Sequence, residues 1–168
     1  MPDPSIALAL GSNLGDREGH LESGLASLRA RSVETLAQSA IYETEPVGGP
    51  PQGPYLNLVA LVGTDLGPDE LLRAALAVEA ERGRVRTVRD APRTLDIDIL
   101  FHGDLVRRTP SLVLPHPRLH ERRFVLVPLA EVAPQWLHPI LGYSTAELLA
   151  RVADHARVER WTRPVPAR

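Results

Sequence analysis

Two aspartates interrupt an otherwise apolar segment, Arg93 to Asp104, which reads RTLDIDILFHGD. Side chains alternate between the two faces of a strand, so Asp96 and Asp98 would share one face, roughly 6.5 to 7 Å apart at the backbone. The apolar residues are predicted to occupy the opposite face: Leu95, Ile97, Ile99 and Phe101. Two carboxylates at this spacing repel each other unless water, an arginine or a cation lies between them. The pair is therefore a candidate cation site.

An arginine-rich segment stands directly before the aspartates. Four arginines lie in the string GRVRTVRDAPR: Arg84, Arg86, Arg89 and Arg93. Paired aspartates suit a Mg²⁺ ion that bridges polyphosphate oxygens, and guanidinium groups would neutralise the remaining phosphate charge. Two simpler interpretations stay open at this point. Asp96 and Asp98 could lie on the solvated face of an edge strand, or they could pair with the arginines on an exposed loop.

Two further groups of residues are suited to ligand binding. His116 stands between two prolines that fix the backbone around it, and Arg122 follows within reach. Tyr55 and Asn57 stand two apart in an apolar run, so they share a strand face. An aromatic plane beside an amide suits a flat heterocycle, although a half-buried strand would use the same residues.

The elements that must position these residues can be read from the hydrophobic periods and the breakers. The patterns predict, in chain order, strand Ser5–Leu10, a helix capped by Asp16, strand Val33–Thr44, a central strand Tyr55–Thr64, a helix from Pro68 that stops at Gly83, and the aspartate strand. A short helix over Phe124–Ala133 and a capping box of Ser144 with Glu147 follow. This order predicts an α+β fold with a ferredoxin-like βαββαβ core. The additional C-terminal helices would complete a three-layer α/β/α sandwich, and residues 1–168 are expected to form a single domain.

Composition and charge narrow the class of protein. The chain has 168 residues, of which 43% are hydrophobic and 24% charged, near globular averages. No apolar run approaches the roughly 18 residues that span a bilayer, and the absence of cysteine excludes disulfides and thiolate-bound zinc, so we expect a cytoplasmic protein with no membrane partner. A formal charge of −2 predicts no nucleic-acid partner. All 19 basic residues are arginines, so a phosphate site here must use arginine, metal and backbone amides.

The segments taken together resemble one family, the 6-hydroxymethyl-7,8-dihydropterin pyrophosphokinases of folate biosynthesis. The resemblance rests on six strings: ALGSNLGDRE, YETEP, PYLN, GRVR, PRTLDIDILFHGD and PHPRLHERRFVLVPLAEVAP. They run in family order from about Ile6 to about Gln135. The family's ferredoxin-like fold agrees with the element order reached from the periodicity.

The resemblance implies transfer of the terminal pyrophosphoryl group of ATP to the hydroxymethyl oxygen of the reduced pterin, with release of AMP. Two Mg²⁺ ions are implied at Asp96 and Asp98. The catalytic residues implied are Arg84, Arg93, Asp96 and Asp98. The residues implied to contact ATP are Glu79, Arg86, Arg93, Ile99, His116 and Arg122. The residues implied to contact the pterin are Thr44, Val47, Tyr55, Asn57, Asp96 and Phe124.

This chain departs from the best-known family pattern at the nucleotide side. The arginine loop is one residue shorter and lacks a tryptophan, and four positions that can contact ATP or support it differ: Leu76, Ser111, Val113 and Pro117. Two alternatives compete with the family activity. A two-metal nucleotidyl transferase would use the same carboxylates, whereas an RNA-binding sheet is disfavoured by an aromatic content of only 4%. A monomer is expected.

Overall fold

The computed structural model describes residues 6–83 and 92–165. Its helices and strands are, in chain order, β1 (Ile6–Ser12), α1 (Arg17–Ala30), β2 (Glu34–Gln38), β3 (Tyr42–Thr44), β4 (Tyr55–Gly63), α2 (Pro68–Glu81), β5 (Asp96–His102), β6 (Arg107–Arg108), β7 (Val113–Leu114), α3 (Arg123–Val132), α4 (Thr145–Arg151) and β8 (Val158–Arg160). A short 3-10 turn, Leu119–Glu121, precedes α3. None of the described helices is both long and apolar enough to cross a bilayer.

Six strands form one antiparallel sheet, in which β1 lies between β5 and β4. The order is β5-β1-β4-β3-β8, and β2 pairs with β4 beyond the end of β3. Strand β4 is central and carries apolar residues on both faces, as its sequence predicts. The predicted ferredoxin-like order is therefore confirmed. The hairpin β6–β7 forms a separate small sheet.

A hydrophobic core lies on each face of the sheet. On the first face, α1 and α2 cover the even-numbered side chains of β1 and β4. On the second face, α3 and α4 cover Ala7, Val59 and Leu61. The predicted three-layer α/β/α arrangement is thus confirmed, since each face buries apolar side chains against its own helix pair.

Local signals explain where the helices begin and end. The Asp16 carboxylate accepts the Gly19 N–H at 3.1 Å and caps α1. Pro68 occupies the first turn of α2, and Gly83 follows its end with φ of +76°, a conformation that glycine adopts without steric cost. The predicted capping box of Ser144 with Glu147 is present at α4.

One predicted strand is wrong in its extent, and one short strand was not predicted. The predicted strand Val33–Thr44 is broken into β2 and β3, with Ser39 to Ile41 between them. Strand β8, which extends the sheet beside β3, was not predicted because its three residues show no distinctive alternation. Short edge strands of this kind depend on the strand they pair with rather than on their own pattern.

Phe101 is the third correction, because it does not share the face of Ile97 and Ile99. The register of β1 against β5 shifts between Ala7 and Leu8, so that Ala7 lies opposite Phe101 and Leu8 opposite Ile99. Such a bulge inserts one extra residue and reverses the alternation beyond it. Phe101 therefore belongs to the core on the second face, where its ring stacks on Trp136 at 5.1 Å between centroids.

Candidate active site

Asp96 and Asp98 lie at the start of β5 and share one face of the strand, as predicted. This is the second face of the sheet. In the register with β1, Asp96 is opposite Gly11 and Asp98 is opposite Ala9. Residues directly opposite in an antiparallel pair share a face, so the two carboxylates stand beside small residues that leave space above the sheet. Arg93 reaches back to the pair, with 2.9 Å between its Nη1 and Asp96 Oδ2.

The electrostatics of the pair favour a bound cation. Burial, followed by the neighbouring Asp96 charge, raises the pKa of Asp98 to about 7, although Arg122 and Arg93 oppose that rise. Asp98 makes no hydrogen bond or ion pair with any residue in the described part of the chain. The site therefore holds a carboxyl group whose ionised form lacks a close partner within these residues.

Glu79 positions the aspartate strand from the opposite face. Its side chain is only 3% exposed, and its Oε2 accepts the Ile97 N–H at 2.7 Å. Ile97 lies on β5, an edge strand, so this bond satisfies a backbone donor on the free edge. The bond fixes α2 against β5 between the two aspartates. The sequence did not suggest this contact with β5, and the contact of Glu79 with ATP that it did suggest stays a prediction.

A second group of residues lies beside the aspartates on the same face. Asn57 is opposite Gly11 on β1, and its Nδ2 donates to Thr44 Oγ1 on β3 at 2.6 Å. Tyr55 stands next to it at the start of β4, with Thr44 opposite. The row Asp96, Gly11 and Asn57 crosses three strands and forms the floor of the site.

Gly11 is required at the centre of this floor, a role that the sequence did not single out. A Cβ atom at position 11 would lie 2.6 Å from Asn57 Oδ1 and 3.5 Å from Tyr55 Cδ1. Any other residue would therefore displace the amide or close the space beside Asp96. Its place in a glycine-containing turn string was the only signal in the sequence.

Asn13 connects three segments around the site and was also missed. Its backbone N–H donates to Arg93 O at 3.1 Å, and its Oδ1 accepts the Arg93 N–H at 2.8 Å. Its Nδ2 donates to Gln52 Oε1 at 2.7 Å and to Gly53 O at 3.1 Å. The loop after β1 is thereby joined both to the loop after β3 and to the arginine that contacts Asp96.

His116 and Arg122 lie on the same side of the sheet as the aspartates. The His116 N–H donates to Leu100 O at 2.9 Å, which attaches this segment to β5. Burial, followed by the positive charge of Arg122, lowers the pKa of His116 to about 4, so the ring is neutral near pH 7. Its Nδ1 accepts the Arg118 N–H at 3.2 Å, which leaves Nε2 as the ring donor. The Arg122 guanidinium lies over the Phe124 ring, 5.5 Å from its centroid.

The remaining predicted site residues differ in their burial and in whether the structure describes them. Ile99 is buried among the first-face core, so only its backbone on the edge strand β5 could reach a ligand. Val47 is 58% exposed on the loop after β3. Arg84 and Arg86 lie outside the described residues. Every other predicted site residue lies around the same end of the sheet or on the segments attached to it.

A ferredoxin-like sheet that brings paired carboxylates, an ion-paired arginine and a side-chain amide to one end is an arrangement that phosphate-group transfer can use. The family model described as 7,8-dihydro-6-hydroxymethylpterin-pyrophosphokinase (HPPK) matches residues 7–134, and the chain belongs to this family. The family, the pyrophosphokinase class and its place in folate biosynthesis agree with the sequence prediction, and the nucleotidyl transferase alternative is not favoured.

Curated relatives from several organisms are similar to this chain. The 2-amino-4-hydroxy-6-hydroxymethyldihydropteridine pyrophosphokinase of Bacillus subtilis is 46% identical over 129 residues, with 76% of this chain and 77% of the relative covered. That of Methylorubrum extorquens is 42% identical and is covered over 96% of its length, together with 91% of this chain. The folic acid synthesis protein fol1 of Pneumocystis carinii is 35% identical over 90% of this chain, which spans only 20% of that longer relative.

Solved structures support the fold. The wild-type HPPK-DHPS crystal structure of Plasmodium falciparum matches with a TM-score of 0.67 at 15% identity, over 87% of this chain and 44% of that one. At this level of identity the likeness concerns the fold alone. It agrees with the sheet order and the helix layers described above.

We predict that Gly11→Ala weakens pterin use selectively. The new methyl group would force the Asn57 amide from its bond to Thr44, and a lost hydrogen bond of about 1.4 kcal/mol corresponds to an increase of about tenfold in the pterin KM. The ATP KM should change by less than about twofold. Gly63→Ala is the matched control, because a Cβ there meets only the mobile end of the exposed Leu36 side chain. An unchanged pterin KM in Gly11→Ala would contradict the assignment of Asp96, Gly11 and Asn57 as the floor of the site.

We also predict a specific pH dependence of stability from His116. Its pKa is about 4 in the folded chain against 6.5 as its ordinary value, so on acidification the unfolded chain takes up this proton first. The free energy of unfolding should therefore decrease between these two pKa values, by up to about 1.4 kcal/mol per pH unit from this group. Urea unfolding should show a shallower decrease for His116→Asn, with exposed His155→Asn as the matched control. If the free energy of unfolding decreases equally with acidification in wild type and in His116→Asn, the lowered pKa of His116 would be refuted.

Proposed function

We propose that this chain transfers the terminal pyrophosphoryl group of ATP to the hydroxymethyl oxygen of 6-hydroxymethyl-7,8-dihydropterin, releasing AMP and the pterin pyrophosphate. The observation that carries this proposal is the row across β5, β1 and β4, in which Asp96, Gly11 and Asn57 lie side by side. A ring held at Asn57 would direct its substituent across Gly11 toward the carboxylates. The reaction then occurs at the boundary between a heterocycle pocket and a charged phosphate site.

The residues present fit Mg²⁺. Asp96 and Asp98 supply carboxylate oxygens, the ligand type that Mg²⁺ prefers, and burial beside the Asp96 charge raises the pKa of Asp98, which supports a cation at this pair. Within residues 6–83 and 92–165, no group of three or more acidic or histidine side chains forms a complete protein cage. Mg²⁺ commonly uses one or two carboxylates and completes its shell with substrate phosphates and water. When bound, it would neutralise phosphate charge and polarise the transferred group.

The chain's own residues position the reactants. Arg93, kept charged beside Asp96, would contact the phosphate oxygens as charge moves toward the leaving group. The neutral His116 ring would donate Nε2–H to an ATP oxygen, with Arg122 beside it. Transfer of this kind depends mainly on alignment and charge stabilisation, so a nucleophilic side chain is not needed. Arg84 and Arg86 are proposed phosphate contacts from sequence alone.

The pterin would occupy the space between Tyr55 and Phe124. Phe124 lies in the first turn of α3 beneath Arg122, and Tyr55 begins β4, so the two rings come from different layers. Asn57 offers an amide edge that Thr44 orients by accepting one of its hydrogens. Aromatic planes and a fixed amide recognise a flat heterocycle through stacking and edge hydrogen bonds.

Replacing either aspartate is predicted to abolish most turnover without unfolding the protein. Asp96→Ala and Asp98→Ala should each lower kcat at least about a hundredfold, because the missing charge stabilisation amounts to about 2.7 kcal/mol or more. Asp98→Asn should retain or increase the free energy of unfolding, since it removes a repelling carboxylate. Steady-state turnover and urea unfolding provide the two measurements. Near-normal turnover in both alanine variants would refute the metal assignment.

The reaction products test the proposal as a whole. The chain, incubated with ATP, Mg²⁺ and the reduced pterin, should yield AMP and pterin pyrophosphate in equal amounts, because attack at the β-phosphorus leaves the nucleoside monophosphate. Chromatography separates this outcome from the alternatives. A simple kinase would leave ADP, and a nucleotidyl transferase would release pyrophosphate without AMP. Either result would overturn the proposal, as would the absence of nucleotide consumption.

The quaternary and cellular setting also belongs to the proposal. We infer a monomeric, cytoplasmic protein that acts as one domain on small-molecule substrates. The support is the cysteine-free sequence and the location of the described site residues within one chain. The fol1 protein of Pneumocystis carinii is longer, and this chain spans only 20% of it.

A further inference from the structure

The strand that leads into the loop at residues 45–54 changes face at the break between β2 and β3. In β2, Ala37 is opposite Leu61, which belongs to the second-face core. Uninterrupted alternation from Ala37 would place Glu43 on that same face, which is the face of the active site. The break from Ser39 to Ile41 prevents this.

After the break, Tyr42 lies opposite Asn57, so Tyr42 and Thr44 occupy the active-site face instead. Glu43 points to the other face, where its Oε2 lies 3.0 Å from Arg17 Nη1 on α1. A one-residue shift in register moves every following side chain to the opposite face of a sheet. The bond between Asn57 and Thr44 at the pterin pocket therefore exists only because the strand shifts at this point.

Side chains from two elements hold the break in place. Ser39 exchanges two bonds with Val59, since its N–H donates to Val59 O at 2.9 Å and its Oγ accepts the Val59 N–H at 3.0 Å. The next backbone donor, Ala40 N–H, is accepted by Glu131 Oε2 at 2.6 Å. The Tyr42 hydroxyl donates to the other oxygen of Glu131 at 2.5 Å. Glu131 thus binds both residues that bracket the change of face.

Glu131 lies on α3, the helix whose first turn carries Phe124. We propose that Glu131 is a positioning residue for the pterin, which holds the break that turns Thr44 toward Asn57 and fixes α3 against the same strand. This inference rests on the proposed function, because it takes the Asn57 and Phe124 side chains as the two walls of the pterin pocket. Its proposed effect on the pterin acts through Ala40 and Tyr42, the residues that it binds.

The two short hydrogen bonds, rather than the nearby arginine, account for this role. Arg160 Nη2 lies 3.3 Å from Glu131 Oε1, but its side chain is 68% exposed, so solvent weakens the ion pair. Burial alone would raise the pKa of Glu131, whereas the bonds from Tyr42 and Ala40 lower it. The carboxylate is therefore ionised near pH 7 and accepts both bonds.

The test compares substitutions that remove or retain these acceptors. Glu131→Ala should raise the pterin KM at least about tenfold and leave the ATP KM within about twofold, since the residues proposed to contact ATP lie on α2, on β5 and on the segments before and after β5. Glu131→Gln should recover most of the loss, because its carbonyl oxygen can accept the Ala40 N–H and its amide can donate to the Tyr42 oxygen. Glu34→Ala is the matched control, an exposed glutamate on β2. Equal losses for both substrates, or no rescue by glutamine, would overturn the proposal.

An NMR measurement tests the break independently of turnover. The cross-strand contact between Tyr42 and Asn57 should be lost in Glu131→Ala and retained in Glu34→Ala. A retained contact, or a lost contact with an unchanged pterin KM, would refute the positioning role.

The failure of the proposed function can be distinguished from the failure of this inference. If the wild-type protein produces no AMP, the proposed function fails, but the contact between Tyr42 and Asn57 still shows whether Glu131 holds the break between β2 and β3. If Glu131→Ala does not fold, Tyr42→Phe replaces it, with an expected increase of about threefold in pterin KM. A wild-type KM in Tyr42→Phe would then refute the proposal.

Discussion

The antiparallel register of β1 between β4 and β5 is the constraint on which the candidate site depends. This register places Gly11 opposite Asn57 on one side and opposite Asp96 on the other. The absence of a side chain at Gly11 leaves a space that connects an amide with a carboxylate across three strands. A slip of one residue in either pairing would turn the partner side chain to the other face and separate the two halves of the site.

The aspartate pair is the electrostatically perturbed part of the candidate site. Asp96 and Asp98 share a face, and burial raises the pKa of Asp98 in spite of the arginines nearby. Neighbouring elements hold the pair in place, because Glu79 accepts a backbone donor of β5 and the His116 segment is bonded to Leu100 on the same strand. Perturbed groups of this kind concentrate at functional sites, which favours this pair as the centre of the candidate active site.

The two helix layers have different tasks around the sheet. The α1 and α2 layer supports β5 through Glu79, whereas the α3 layer carries Phe124 and is tied to the β2–β3 break by Glu131. Asn13 joins the loops at the open end and connects them to Arg93. The aspartates and the Asn57 amide come together at this end of the sheet.

The sequence by itself determined the family, the order of the elements, the helix ends and the shared face of Asp96 and Asp98. These follow from local rules, since alternation, capping and breaker residues act over a few positions, and the motif strings are contiguous. Tertiary structure alone decided the face of Phe101, because the bulge depends on pairing with β1. It also decided the roles of Asn13 and Glu131, whose partners Arg93 and Ala40 are 80 and 91 residues away. Contacts at such separations leave no periodic signal in the sequence, because they exist only after the sheet and helices have packed.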